Sequence, residues 1–238
     1  GQTAIVTGAN TGIGQAIALS LAAAGADIAA VGRTPAQETV EKVRALGRQA
    51  QIVSADLSSI EPVQRVVDET LEKLGRLDIL VNNAGIIRRA DSVDFTEEDW
   101  DAVIDTNLKT TFFLCQAAGR HMLAQGAGKI INIASLLSFQ GGIRVPSYTA
   151  SKSGVAGLTK LLANEWAARG VNVNAIAPGY IATNNTAALQ ADETRNRQIQ
   201  ERIPAGRWGD PSDIGGAAVF LASSAAAYIH GHTLAVDG

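Results

Sequence analysis

Apolar residues are grouped along this chain in two alternating ways. Short runs rich in valine, isoleucine and alanine fall at residues 3–7, 27–31, 51–54, 79–81, 129–133, 171–177 and 233–236. Longer amphipathic segments lie between them, at 12–24, 35–46, 61–74, 97–123, 148–168 and 211–222. A strand without polar alternation is buried on both faces, and apolar positions three and four residues apart mark one face of a helix. Their regular alternation predicts an α/β fold: a doubly wound parallel sheet of about seven strands, with right-handed crossovers and helices on both faces. Ligands of such sheets bind at the carboxyl ends of the strands, so functional residues are expected just after them. The segment 184–208 departs from the alternation; it is polar and helix-like, with Pro204 and Gly206 near its end.

Bulk properties narrow the classes. A chain of 238 residues is long enough to bury a large core and is read as one domain, 1–238. The hydrophobic fraction of 46% and the charged fraction of 18% suit a soluble enzyme. A net charge of −3 gives no electrostatic footprint for nucleic acid, and no apolar run approaches the ~20 residues of a membrane span. Cys115 is the only cysteine, so no internal disulfide forms and a reducing, cytoplasmic setting is expected. Its apolar surroundings, Thr111-Phe112-Phe113-Leu114, mark it as a packing residue. His121, His230 and His232 have no ligand-bearing neighbours, and no metal is expected.

The first strand candidate runs into Thr7-Gly8-Ala9-Asn10-Thr11-Gly12-Ile13-Gly14, followed by a helical run. Glycines there permit a tight turn and close approach of backbone to a pyrophosphate, and the helix N-terminus offers free N–H groups. A glycine-rich turn is modest evidence alone; strand before and helix after is the context it requires. The second strand candidate ends in Gly32-Arg33, where an acidic residue would select a free ribose 2′-hydroxyl. Arginine there suits a 2′-phosphate. NADP(H) is therefore expected over NAD(H), although Thr11 leaves the glycine loop without a second basic group. Asp56 and Leu57 follow the third strand, where an aspartate can accept from an adenine amino group. Asn82-Asn83-Ala84-Gly85 follows the fourth, where small residues let backbone lie against the adenosine half of a dinucleotide.

Tyr148 and Lys152 stand four residues apart within Ser147-Tyr148-Thr149-Ala150-Ser151-Lys152, a spacing that shares one helix face. A phenol titrates near ~10 in water, and a nearby cation favours its ionised form. Ser135, upstream, offers a hydroxyl to hold a carbonyl or alcohol while the tyrosine moves a proton.

Taken in order, the 7–14 loop, Asn82–Gly85, Asn107, Ser135, Tyr148/Lys152 and Pro178-Gly179 resemble the short-chain dehydrogenase/reductases over the whole chain. The resemblance implies a Rossmann fold and a nicotinamide-dependent oxidoreductase. Tyr148 would be the general acid/base. Lys152 would lower its pKa and bind the nicotinamide ribose. Ser135 would orient the substrate oxygen, and Asn107 would hold a water behind Lys152. Gly8, Asn10, Thr11, Gly12, Ile13, Gly14, Arg33, Asp56, Leu57, Asn83, Ala84, Gly85, Tyr148 and Lys152 would meet the cofactor. Pro178, Gly179, Ile181 and Thr183 would cradle the nicotinamide. The segment 184–208 would form a substrate lid, and the family implies a homotetramer.

Several stretches, among them Ile86-Ile87-Arg88-Arg89, the run from Ser138 to Pro146 and Thr183-Asn184-Asn185-Thr186, resemble the sugar-acid branch of that family. A hydroxylated carboxylate needs a cation or several donors, and an arginine binds it bidentately. Arg88, Arg89 and Arg144 are the candidate cations, with Gln140, Asn184 and Asn185 for hydroxyl groups. Two alternatives stay open. One is a 3-oxoacyl carrier-protein reductase. The other is a non-catalytic dinucleotide-binding sensor, which would keep the glycine loop without needing Asn107, Ser135, Tyr148 and Lys152.

Overall fold

The computed structural model describes the chain from Gly1 to Gly238. Its seven strands are β1 (Gln2–Thr7), β2 (Ala26–Gly32), β3 (Ala50–Ser54), β4 (Ile79–Asn82), β5 (Gly128–Ile133), β6 (Val171–Pro178) and β7 (Thr233–Val236). They pair in parallel as one sheet in the order β3-β2-β1-β4-β5-β6-β7. The strand bounds agree with the apolar runs to within a residue or so; β6 is buried throughout although Asn172 and Asn174 alternate with its valines, and β7, at the sheet edge, is only partly buried. Ala4 and Val6 of β1 face one core while Ile5 faces the other. Helices α1 (Gly12–Ala23), α2 (Gln37–Ala45) and α10 (Pro211–Ala222) cover the first. Helices α3 (Val63–Leu74), α5 (Thr110–Gln125) and α7 (Pro146–Trp166) cover the second.

The strand order reverses between β1 and β4: the chain winds outward from β1 to β3, then crosses back to the other side. Such a switch point opens a crevice at the carboxyl edge. The helices that border it start at defined signals. Pro146 occupies the first turn of α7, where its missing N–H is no loss. Asp210 and Asp213 form a reciprocal capping box ahead of α10.

The segment expected as one helix over 97–123 is interrupted. It runs as α4 (Glu97–Ile104), one π-helical stretch at Asp105–Lys109, then α5. The wider turn pushes Asn107 inward, where it is 1% exposed. Beyond β5 lies a one-turn α6 (Leu137–Gln140). Beyond β6 come α8 (Ala187–Ala191) and α9 (Glu193–Gln200) within the polar segment. No helix is long and apolar enough to cross a membrane. Cys115 is buried, and Asn82 Nδ2 donates to its sulfur at 3.2 Å. Burial pushes the thiol up to about 12, which removes it as a nucleophile at neutral pH.

Candidate active site

The carboxyl edge holds a cleft of about 1460 Å³ that runs from the glycine loop to α9. At one end the loop after β1 is shaped by its own backbone. Gly8 and Gly12 take positive φ angles of 65° and 57°. A side chain on Gly14 would overlap the Gly8 carbonyl and come within 2.5 Å of Asn83 Nδ2. Asn83 Nδ2 donates to the Thr7 and Gly8 carbonyls, and the Thr7 hydroxyl accepts from the amides of Asn83 and Ala84, both at 2.9 Å. The glycine loop and the end of β4 are thus one unit. Thr11 precedes α1 without a side-chain cap, and the first turn carries no acid. The leading N–H groups of a twelve-residue helix therefore face the cleft unclaimed, beside a cradle that any Cβ would fill. That arrangement fits a dinucleotide pyrophosphate.

Asn10, Thr11, Gly12, Ile13, Arg33, Asn83, Ala84 and Gly85 line this half, together with Gly8. Gly14 lies behind the loop, closing it sterically. Asp56 and Leu57 are not brought to the cleft wall. Asp56 is exposed, its carboxyl held below the usual range by the Ser58 amide first and by the Arg33 charge last. Leu57 packs into the core beside β3. Arg33 is exposed on the cleft rim.

Midway along, Ser135, Tyr148 and Lys152 meet. Ser135 follows β5, and its oxygen accepts from the Leu137 amide at 3.1 Å, which begins the turn into α6. Tyr148 and Lys152 come from the first two turns of α7, with the ammonium 5.7 Å from the ring centre. Lys152 is 5% exposed and donates to the Ile133 carbonyl at 2.6 Å. Burial lowers its pKa to about 8. Burial also raises the Tyr148 phenol, while the Ser135 hydroxyl and the Arg89 charge act against that rise. Lys152 points its ammonium at the Ile133 carbonyl, the one partner it has within the protein.

Asn107 reaches the same place from the π turn. Its Oδ1 accepts from the Ile86 amide at 2.8 Å and its Nδ2 donates to the Ile86 carbonyl at 2.9 Å. A side chain on Gly85 would stand 3.2 Å from Asn107 Oδ1 and 3.8 Å from Lys152 Nζ. Asn107 thus clamps the backbone that passes over Lys152.

Pro178, Gly179, Ile181, Thr183, Asn184 and Asn185 line the far half with Gln140. Thr183 faces Gly12 across the cleft: a Cβ on Gly12 would stand 3.4 Å from Thr183 Cγ2. Arg88 and Arg144 are not brought to the cleft wall. Arg88 pairs with Asp99 at 3.1 Å and Arg144 with Asp91 at 2.9 Å. Arg89 does line the cleft. So do Arg195, Gln198, Ile199 and Arg202, which the sequence reading did not single out. Their spacing of three, four and seven residues is the signal of one helix face, visible in the polar segment once it is read as a helix.

The chain's relatives fit this architecture. A family model described as enoyl-(acyl carrier protein) reductase matches residues 8–238. The 2-dehydro-3-deoxy-D-gluconate 5-dehydrogenase of Escherichia coli is 59% identical, across all of this chain and 94% of its own length. A crystal structure from Agrobacterium tumefaciens, provisionally described as a 2-deoxy-D-gluconate 3-dehydrogenase with bound NADP, is 60% identical. Its TM-score is 0.92, over all of this chain and 95% of that one. A gluconate 5-dehydrogenase from Burkholderia cenocepacia, in complex with NADP and tartrate, is 40% identical with a TM-score of 0.95, over all of this chain and 94% of that one. A match that spans nearly the whole sequence, with relatives this similar, assigns the chain to the short-chain dehydrogenase/reductase family of oxidoreductases.

Proposed function

We propose that this protein is an NADP(H)-dependent dehydrogenase of sugar acids of the 2-dehydro-3-deoxygluconate or gluconate type. The observation that carries the reading is the joint position of Ser135, Tyr148 and Lys152 at the middle of a cleft with a dinucleotide cradle at one end and unneutralised arginine at the other. The names of the relatives support the sugar-acid substrate, and the NADP bound in two related structures supports the cofactor.

The cradle 8–14, Asn83–Gly85 and Arg33 would hold the adenosine and pyrophosphate half. Lys152 would hold the nicotinamide ribose, and Pro178, Gly179, Ile181 and Thr183 the nicotinamide. When bound, the cofactor supplies or accepts the hydride. The protein's part is position and proton handling. The Ser135 hydroxyl orients the reacting oxygen. In ketone reduction the Tyr148 phenol gives its proton to that oxygen; in alcohol oxidation the phenolate takes it back. A phenol raised by burial is held in its donor form at neutral pH, and the ammonium of Lys152, 5.7 Å from the ring, favours the phenolate that the reverse step needs. Asn107 keeps Gly85 and Ile86 over Lys152. We read residues 1–238 as one domain in which 184–208 is the lid, and we expect a homotetramer in the cytoplasm. The exposed apolar side chains of Trp100, Leu161, Phe220 and Tyr228 are surfaces that subunits would cover.

The test is turnover of a panel of sugar acids and ketouronates with NADP(H) and NAD(H), with an acetoacetyl thioester as the competing substrate. Sugar-acid turnover favouring NADP(H) is expected, and Arg33→Ala should reduce that cofactor preference by about tenfold or more, as loss of a charged hydrogen bond implies. Turnover of the thioester alone, or a strong preference for NAD(H), would overturn the substrate or the cofactor reading respectively.

A further inference from the structure

The helix α9 lies over the substrate end of the cleft with little to hold it there. It has eight residues, a length at which a helix alone is marginal in water. Ile199 is its one buried side chain. The Asp192 cap and the contact of Arg195 with Gln198 stay within the helix and its cap. One side-chain hydrogen bond leaves it: Trp208 Nε1 donates to Asn196 Oδ1 at 2.7 Å.

Trp208 is in turn fixed to the loop after β6. Its ring meets that of Tyr180 edge-on, with centroids 5.5 Å apart and planes at 77°. The Gly209 amide donates to the Tyr180 carbonyl at 2.9 Å, and the Gly209 carbonyl accepts from the Ala182 amide at 2.8 Å. On the other side Arg207 grips Asp213, in the first turn of α10, with two hydrogen bonds of 2.7 and 3.1 Å. The residues that flank Trp208 are therefore held by the loop and by α10, and its indole N–H alone reaches α9. Both things it joins belong to the cleft: Tyr180 and Ile181 on one side, and the α9 face that carries Arg195, Gln198 and Ile199 on the other.

We propose that Trp208 is a positioning residue: it sets where α9 lies relative to the loop after β6, and so places the helix face that a sugar acid meets. The proposal rests on the readings of 184–208 as the lid and of the substrate as a sugar acid. The indole ring, packed on Tyr180, gives the position; its N–H gives the attachment. Phenylalanine would supply the first without the second.

The experiment combines steady-state kinetics of gluconate oxidation by NADP with amide hydrogen exchange. Trp208→Phe keeps a ring and removes the donor, Asn196→Leu removes the acceptor, and Asn196→Asp keeps one. Loss of one net hydrogen bond corresponds to about 3- to 10-fold. The KM for gluconate should rise by that factor in Trp208→Phe and in Asn196→Leu, and Asn196→Asp should restore it. The KM for NADP should stay within about twofold, since the glycine cradle lies at the other end. Trp208→Phe combined with Asn196→Leu should lose no more than either alone, because both break the same bond. Amide protection across 193–200 should fall by the same factor in both single variants, while that of β1 is unchanged. A gluconate KM unmoved in Trp208→Phe, an NADP KM that rises as much as the gluconate KM, or losses that multiply in the double variant would each overturn the proposal. The two readings fail separately. Faster exchange in α9 of Trp208→Phe, without sugar-acid turnover by the unmodified enzyme, overturns the sugar-acid reading and keeps the attachment. Gluconate turnover with KM and exchange both unmoved in Trp208→Phe does the reverse.

Discussion

The two ends of the cleft are built from different materials. The cofactor end is main chain and small side chains: Gly8, Gly12 and Gly14, tied to β4 by Thr7 and Asn83. Its shape follows from atoms that have almost no freedom. The substrate end is long side chains on short helices and loops: Gln140, Arg89, Arg195 and Arg202 around α6 and α9. Its shape depends on which partner each side chain finds. Between them stand Tyr148 and Lys152, fixed by α7 and by the Ile133 carbonyl. The difference teaches that one cleft can join an end whose shape is set by backbone to an end whose shape is set by long side chains.

The largest expected effect tests the seam. Tyr148→Phe removes the proton donor while keeping the ring, and kcat should fall by about 10²–10⁴-fold. Dinucleotide affinity, measured by fluorescence titration, should stay close to that of the unmodified enzyme, because the cradle lies at the other end. A variant that kept full turnover would remove Tyr148 from the chemistry.

Gly14→Ala attacks the rigid end. The new methyl group meets the Gly8 carbonyl and Asn83 Nδ2, and neither can retreat without disturbing Thr7 and β4. Overpacking of this kind costs about 1–3 kcal/mol. Thermal melts should therefore show a loss of roughly 2–12 °C for a domain of this size. The KM for the dinucleotide should rise by about tenfold or more, as one lost charged hydrogen bond implies. A normal KM with an unchanged melting temperature would mean that the cradle is adjustable after all.

Lys152 gives a pH-dependent effect of smaller size. Its folded pKa, about 8, lies below the ordinary lysine value because burial disfavours the charge. Between about pH 8 and the unfolded value near ~10.4, the unfolded chain binds more protons, so this group makes stability rise with pH across that window. Below pH 8 the full penalty is present. If the dinucleotide ribose binds at Lys152 as proposed, its hydroxyl groups favour the charged form, and affinity should fall as pH climbs through 8, by about three- to tenfold between pH 7.5 and 9.5. Lys152→Met should lose both dependences. Parallel stability and affinity curves for the two proteins would show that burial does not set this lysine's charge.

Sequence reading reached the two ends unequally, for the same physical reason. Strands apolar on both faces announce themselves, and the spacing of Gly8, Gly12 and Gly14 reports a backbone requirement that only glycine meets. The strand and most helix bounds, the cradle and the Ser135–Tyr148–Lys152 grouping followed from such local signals. The π turn at Asp105–Lys109 was not legible, since a shift in hydrogen-bond register leaves the apolar periodicity almost intact. Nor was the choice among Arg88, Arg89 and Arg144. Which of them pairs away from the cleft depends on where Asp99 and Asp91 fall in space, and neighbouring arginines look alike until their partners are known. Asp56 shows the same limit at the cofactor end: its position after β3 was legible, but its turn toward Ser58 was not.

The smallest expected effect asks what holds the adjustable end in place. Arg144 is the only non-glycine residue with positive φ, at 63°, and its ion pair with Asp91 is exposed on both sides. Left-handed backbone costs a residue with a Cβ about 1–2 kcal/mol, whereas an exposed ion pair contributes about 0–1 kcal/mol. Glycine ordinarily costs a structure about 0.5–1 kcal/mol relative to alanine; here the order should reverse. Arg144→Gly, which loses the ion pair and the strain together, should be more stable than Arg144→Ala, which loses only the ion pair, by up to about 1 kcal/mol. Chemical denaturation of the pair gives the sign directly. If Arg144→Gly proves the less stable, the 141–145 loop relaxes freely in solution and its backbone does not store strain. In that event the ion pair to Asp91 and the Ala90–Arg144 hydrogen bond, rather than a fixed backbone turn, are what join the start of α7 to the segment carrying Arg89.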